Sequence, residues 1–124
     1  MKKIVFDTNF LLDCFRLKID FLSEIEEKIE KPYELLILTP NLKEIEKIAR
    51  TRKKEAKYAK VALEFIKNNC KLITTEEKDA DKAILKFSDE NTFVATNDRK
   101  LRKSLKALKV KNIYLKSIKK LEVS

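Results

Sequence analysis

The 124-residue chain (14.6 kDa) is sized for one compact domain, its 44% hydrophobic content is enough to fill one core, and its formal charge is +9. With no histidine, Ser/His/Asp and Cys/His catalysis and His-ligated zinc are excluded, and with no glycine so are the Walker A loop and the GxGxxG dinucleotide turn. No apolar run approaches the roughly 20 residues of a membrane span, and MKKIVFDTNF meets Asp7 too early for a signal peptide, so a soluble, cytoplasmic chain without a membrane partner is expected.

Lys3–Phe6 (KIVF) reads as a short strand ending in Asp-Thr-Asn, three residues that favour turns and helix caps. The apolar spacing from Phe10 to Ile29 then fits two consecutive amphipathic helices or one bent helix, closed by Pro32. Leu35–Leu38 (LLIL) is a buried-strand pattern, and in the Thr39-Pro40 step the threonine can cap a helix and the proline can occupy its first position. Leu42, Ile45, Ile48 and Ala49 form that helix's apolar stripe, and a basic helix continues to about Asn69. Lys71–Thr74 is a third strand, Ala80–Phe87 a helix, and Thr92–Ala95 a fourth strand. Thr96-Asn97-Asp98 opens a helix holding Leu101 and Leu105, Ile113–Leu115 is a last parallel strand, and the tail to Val123 can add an edge strand. Alternating strands and helices predict an α/β fold, a mostly parallel sheet of four or five strands with helices on both faces. Cys14 and Cys70 are too few for a disulfide framework and read as two buried thiols in a reducing compartment.

The positive charge is local. From Arg99 to Lys120 the chain carries ten Lys or Arg and no acid, so the remainder sums to −1. A second run, Arg50, Arg52, Lys53, Lys54, Lys57 and Lys60, falls where a helix is expected. Such concentrations suit a polyanion, and equally a merely solubilising face.

Ligands of parallel sheets gather beyond the carboxyl ends of the strands. Asp7 follows the first strand directly and Asp98 follows the fourth within three residues. Glu44 or Glu46 lies about one turn into the helix after the second strand, and Asp79 or Asp81 near the start of the helix after the third. In each pair the two acids flank the apolar stripe on opposite sides, and a helical wheel does not choose between them. Converging carboxylates without Cys or His are hard oxygen donors suited to Mg²⁺ or Mn²⁺. Each acid taken singly also reads as a helix cap, whereas Asp13, Asp20 and Asp89 read as solvated.

VFDTN, LKEIEKI, ADKAIL and VATNDRKLRKSL, in this order and spacing, resemble the four acidic motifs of the PIN-domain nucleases. The resemblance covers nearly the whole chain, residues 1–124 as one PIN-like domain. It implies a metal-dependent endoribonuclease with catalytic residues Asp7, Glu44, Asp81 and Asp98, of which Asp7, Asp81 and Asp98 would hold Mg²⁺ or Mn²⁺. Thr8, Asn9, Thr96 and Asn97 would support the turns, and Arg52, Lys53, Arg99, Lys100, Arg102 and Lys103 would bind RNA. Many relatives carry an acid where this chain has Lys82. The sequence is most similar to an archaeal branch that includes VapC-type toxins and relatives of the eukaryotic small-subunit rRNA-processing endonuclease. Its implied partners are single-stranded or structured RNA, an antitoxin protein and a second copy of the chain. A PIN-like RNA-binding module without catalysis is the competing reading. A phosphoacceptor receiver domain is disfavoured, because the first strand ends in one acid and the second in Thr39-Pro40.

Overall fold

The computed structural model describes residues 1–117 and 120–124. Lys119, one of the ten cations of the basic segment, lies outside them. The elements in chain order are β1 (Lys2–Phe6), α1 (Thr8–Arg16), α2 (Phe21–Lys28), β2 (Tyr33–Leu38), α3 (Thr39–Ala49) and α4 (Glu55–Asn69). There follow β3 (Lys71–Ile73), α5 (Ala80–Phe87), β4 (Thr92–Ala95), α6 (Arg99–Ala107), β5 (Lys111–Ser117) and β6 (Lys120–Val123). The strands form one sheet in the order β3-β2-β1-β4-β5-β6, parallel except for β6, which runs antiparallel to β5. The tail to Val123 adds the edge strand it offered, which brings the sheet to six strands where four or five are expected. Antiparallel pairing of β6 with β5 requires no crossover helix.

Side chains alternate across the central strands, as the two-residue period requires. Ile4, Phe6, Ile37, Phe93 and Ala95 face the larger core, which also contains buried residues of α1 to α4. Val5, Leu36, Leu38 and Val94 face the second core with Ala83 and Ile84 of α5 and Leu101 and Leu105 of α6. Phe6, Phe10, Phe15, Phe21 and Phe65 form one cluster in the larger core, with ring centroids 5.1–6.1 Å apart and mostly edge-to-face. That geometry suits the aromatic quadrupole.

Of the two options for Phe10–Ile29, the chain takes two helices. Lys18 turns the backbone into the left-handed region (φ 57°), and Asp20 restarts a helix by accepting from Ser23 N. The basic helix expected to run on from Ala49 is also interrupted. Residues 50–54 form a turn closed by Thr51 Oγ1 donating to Ile48 O, so Arg52 and Lys53 sit on a loop and only Lys57 and Lys60 of that run are helical. Thr39 does not cap α3 with its side chain; its hydroxyl instead accepts from Thr75 N and ties the end of β2 to the segment after β3. Asp20 and Asp89 are exposed but bonded into turns. Asp13, expected to be solvated, is half-buried and accepts from Asn97 Nδ2 and Arg16. Cys14 is buried, whereas Cys70 is only half-buried, and burial pushes both thiols up to about 12, so neither is a reactive thiolate. Among the described residues no helix is long and apolar enough to cross a membrane.

Candidate active site

The strand order reverses direction between β1 and β4, and such a switch point opens a crevice at the carboxyl ends of the strands. A cleft of about 460 Å³ lies there, lined by Asp7, Thr8, Asn9, Glu44, Lys47, Ile48, Asp81 and Asp98. Four elements supply its acids. Asp7 ends β1 and caps α1, Glu44 comes from the second turn of α3, Asp81 from the first turn of α5, and Asp98 caps α6 through Leu101 N. Packing decides what the helical wheel leaves open. Asp79 turns its carboxylate to Lys82 N as the α5 cap, while Asp81 lines the cleft, and Glu44 lines it while Glu46 does not.

A buried network holds these groups. Asp7 Oδ1 accepts from Thr8 N (2.9 Å) and Asn41 Nδ2 (3.1 Å), and Asp7 Oδ2 accepts from Thr96 Oγ1 (2.7 Å). Thr8 Oγ1 donates to Glu44 Oε1 (2.7 Å) and accepts from Asn41 Nδ2 (3.1 Å), while Thr96 Oγ1 accepts from Asp98 N (3.1 Å). Of the six buried polar side chains among the described residues, Asp7, Thr8, Asn41 and Thr96 belong to this one network. Such a concentration fits a site whose orientation matters, since each buried polar group must be satisfied. Asn41 Oδ1 is the one exception, buried and without a partner among the described residues.

Asn41 escapes sequence reasoning, although a signal exists: it lies three residues before Glu44 and so shares its helical face. Lys47 and Ile48, three and four residues after Glu44, continue the same face into the cleft and were also missed. Among the supporting residues, Asn9 lines the cleft. Asn97 does not; it braces the turn by donating to Asp13 Oδ2 and accepting from Leu115 N. The predicted basic set divides three ways. Arg99, Arg102 and Lys103 line a separate groove, Lys100 acts on the charge of Asp81, and Arg52 and Lys53 lie on the 50–54 loop and line neither cavity.

Burial pushes the Asp7 carboxyl up to about 6; the Thr96 and Thr8 hydrogen bonds oppose this rise, and the charges of Asp81 and Glu44 add to it. Asp81 is raised as well, by partial desolvation and then by Asp98, Asp79 and Glu44, against the pull of Lys100. None of the four cleft acids forms an ion pair among the described residues. Their side chains are not clustered as ready ligands either, because no group of three or more acidic or Cys residues among those described stands in metal-holding arrangement. The donor set is nevertheless all oxygen, open to solvent on one side, and short of positive charge, which is the chemistry that a hard divalent cation matches.

A mostly parallel sheet with this switch point, a strand-end aspartate on either side of it, and an oxygen-lined cleft define a class of small α/β domain. The chain matches the PIN like domain family over residues 4–118 and belongs to it. It is 42% identical over 110 residues to Ribonuclease VapC4 of Methanocaldococcus jannaschii, an alignment covering 85% of this chain and 83% of that protein. Its fold is similar to that of the PIN domain endonuclease Utp24, with a TM-score of 0.80 over 98% of this chain and 90% of the other at 21% identity.

Proposed function

We propose that residues 1–124 act as one nuclease domain, a metal-dependent endoribonuclease that cuts RNA phosphodiester bonds in the cleft at the β1/β4 switch point. The observation that carries this reading is the meeting of Asp7, Glu44, Asp81 and Asp98, from four separate elements, in one cleft with no ion-pair partner among the described residues. The 42% identity to a protein named a ribonuclease supports RNA as the substrate. Asp7, Asp81 and Asp98 would hold Mg²⁺ or Mn²⁺, and Glu44 would complete the acidic set. When bound, the ion supplies acidification of a water and neutralises charge on a phosphoryl oxygen. Thr96 and Asn41 fix the Asp7 carboxylate by a hydrogen bond to each oxygen, and Thr8 fixes Glu44, so these three position the acids rather than react. Lys47 is placed to receive a phosphate at the α3 wall of the cleft.

This reading carries two partners besides RNA: an antitoxin protein and a second copy of the chain. A small reading frame overlapping this gene would mark it as a toxin, and its absence would favour rRNA processing. Lys82, standing where many relatives of this family carry an acid, leaves a second reading, an RNA-binding module of the same fold without catalysis. One experiment separates the two. The purified chain incubated with single-stranded RNA is expected to cut in Mg²⁺ or Mn²⁺ and to stop in EDTA. Equal cutting in EDTA overturns the metal mechanism, and binding without cutting in either metal leaves the non-catalytic module.

A further inference from the structure

A second cavity, about 600 Å³ in volume, runs between α6 and β5. Arg99, Arg102, Lys103, Lys106, Lys109 and Lys111 line it, together with the end of the chain at Ser124, and among the described residues no acidic side chain does. The first four stand at i, i+3, i+4 and i+7, one stripe of α6 opposite its buried Leu101 and Leu105. The stripe extends about 10 Å along the helix from Arg99, which directly follows the cleft residue Asp98.

One of these cations is held unlike the others. Arg102 Nε donates to Asn112 Oδ1 at 2.6 Å, and the guanidinium carbon lies 3.5 Å from the Tyr114 ring centroid. Asn112 is itself buried, and its Nδ2 is directed to the carbonyls of Val94, Thr96 and Ile113 at 2.9–3.1 Å, which leaves Oδ1 for the arginine. The guanidinium plane is therefore set by one edge and one face. Its two terminal NH₂ groups have no carboxylate partner among the described residues. A solubilising arginine would gain nothing from such fixation, whereas a planar fork held in advance is what two-bond recognition of a phosphate requires.

We propose that the α6–β5 groove is a phosphate track for single-stranded RNA, in which Arg102, oriented by Asn112 and Tyr114 about one turn along α6 from Asp98, takes one phosphate as a fork. The proposal rests on RNA being the substrate. A nucleic acid is favoured over an acidic peptide because the cationic stripe lies on the same helix whose cap, Asp98, lines the cleft, and begins at the next residue.

The test is binding of a fluorescein-labelled single-stranded RNA dodecamer to the full chain in EDTA, followed by anisotropy across a salt series. Arg102→Gln is expected to weaken binding and to flatten the slope of log K against log salt by about 0.7, the value for one lost phosphate contact on a single strand. Arg102→Lys keeps the charge but not the fork, and is expected to keep the slope while weakening binding roughly fivefold. Should Arg102→Gln fail to fold, the exposed pair Lys103→Gln with Lys106→Gln carries the slope test, with an expected loss of about 1.4. Lys67→Gln, far along the chain on α4, serves as the control and should change neither quantity. Wild-type slopes in the groove variants overturn the track, a lysine variant that binds like wild type overturns the fork, and tighter binding of a polyglutamate peptide than of RNA assigns the groove to an acidic protein. No cleavage enters this measurement, so a chain that binds as expected but never cuts overturns the nuclease and leaves the groove standing.

Discussion

Asp7 is a helix cap, buried and crowded at once. Three hydrogen bonds favour its charge, yet burial and two neighbouring acids outweigh them and raise the carboxyl from 3.8 to about 6. For an acid raised in the folded state, the ionised form is the one the fold disfavours. The cost is therefore absent below about pH 4, grows through the window up to about 6, and is full above it; the shift corresponds to roughly 3 kcal/mol. Asp7→Asn keeps an N-cap oxygen but not the charge. In urea unfolding without divalent metal, the variant is expected to gain up to about 3 kcal/mol over wild type at pH 7.5 and almost nothing at pH 4. An equal gain at both pH values would mean that the burial of this charge is not what strains the site.

At the scale of the elements, a chain without glycine must turn its helices with other residues. The residue after the C-cap of α1 is Lys18 (φ 57°) and that after the C-cap of α6 is Lys109 (φ 60°), both in the left-handed position that glycine usually fills. A side chain with Cβ costs about 1–2 kcal/mol there, and glycine gives back about 0.5–1 through its larger unfolded-state entropy. Lys18→Gly, at a position that lines neither cavity, is thus expected to stabilise by about 0.5–1 kcal/mol, a rise of a few degrees in Tm by thermal melt. A lower Tm would show that Lys18 makes compensating contacts. The interruption after α3 has a different consequence. It moves Arg52 and Lys53 off the helical face that the charge run suggested and onto a loop between α3 and α4.

For the whole molecule, the acidic cleft and the basic groove meet at α6, whose cap is Asp98 and whose next residue is Arg99. The two sites predict different linkages. A cation bound only by the folded cleft stabilises by RT ln(1 + [L]/Kd), about 2.7 kcal/mol at one hundred times Kd. Thermal melts with and without Mn²⁺ should show this rise for wild type and for Asp79→Asn, whose carboxylate caps α5 and does not line the cleft. Asp98→Asn retains the α6 cap and relieves repulsion on Asp81, so its metal-free Tm is expected to equal or exceed that of wild type while its Mn²⁺ response shrinks. Equal Mn²⁺ responses in all three proteins would place the ion elsewhere.

Much of this arrangement could be read from the residues in order. Apolar runs of four or so followed by 3.6-residue periodicity located the parallel strands within a few residues, and the acids just past Phe6 and Ala95 stood out because strand ends are where α/β sheets bind. The concentration of charge after Asp98 was equally plain. What periodicity reports, however, is only which side of an element is apolar. It cannot say how far a helix rotates when it packs, so Asp79 and Asp81 were equivalent until α5 docked on the sheet and turned one to its own backbone and the other to the cleft. Nor does it report contacts between distant segments. The Thr96 to Asp7 hydrogen bond spans 89 positions, the Asn41 to Asp7 bond 34, and the Arg102–Asn112–Tyr114 arrangement joins a helix to a strand across a turn. Local propensity and charge are properties of the chain, and they set the elements and their polarity. Side-chain direction at a site is a property of packing between elements, and only the folded sheet, with β4 inserted beside β1, decided it.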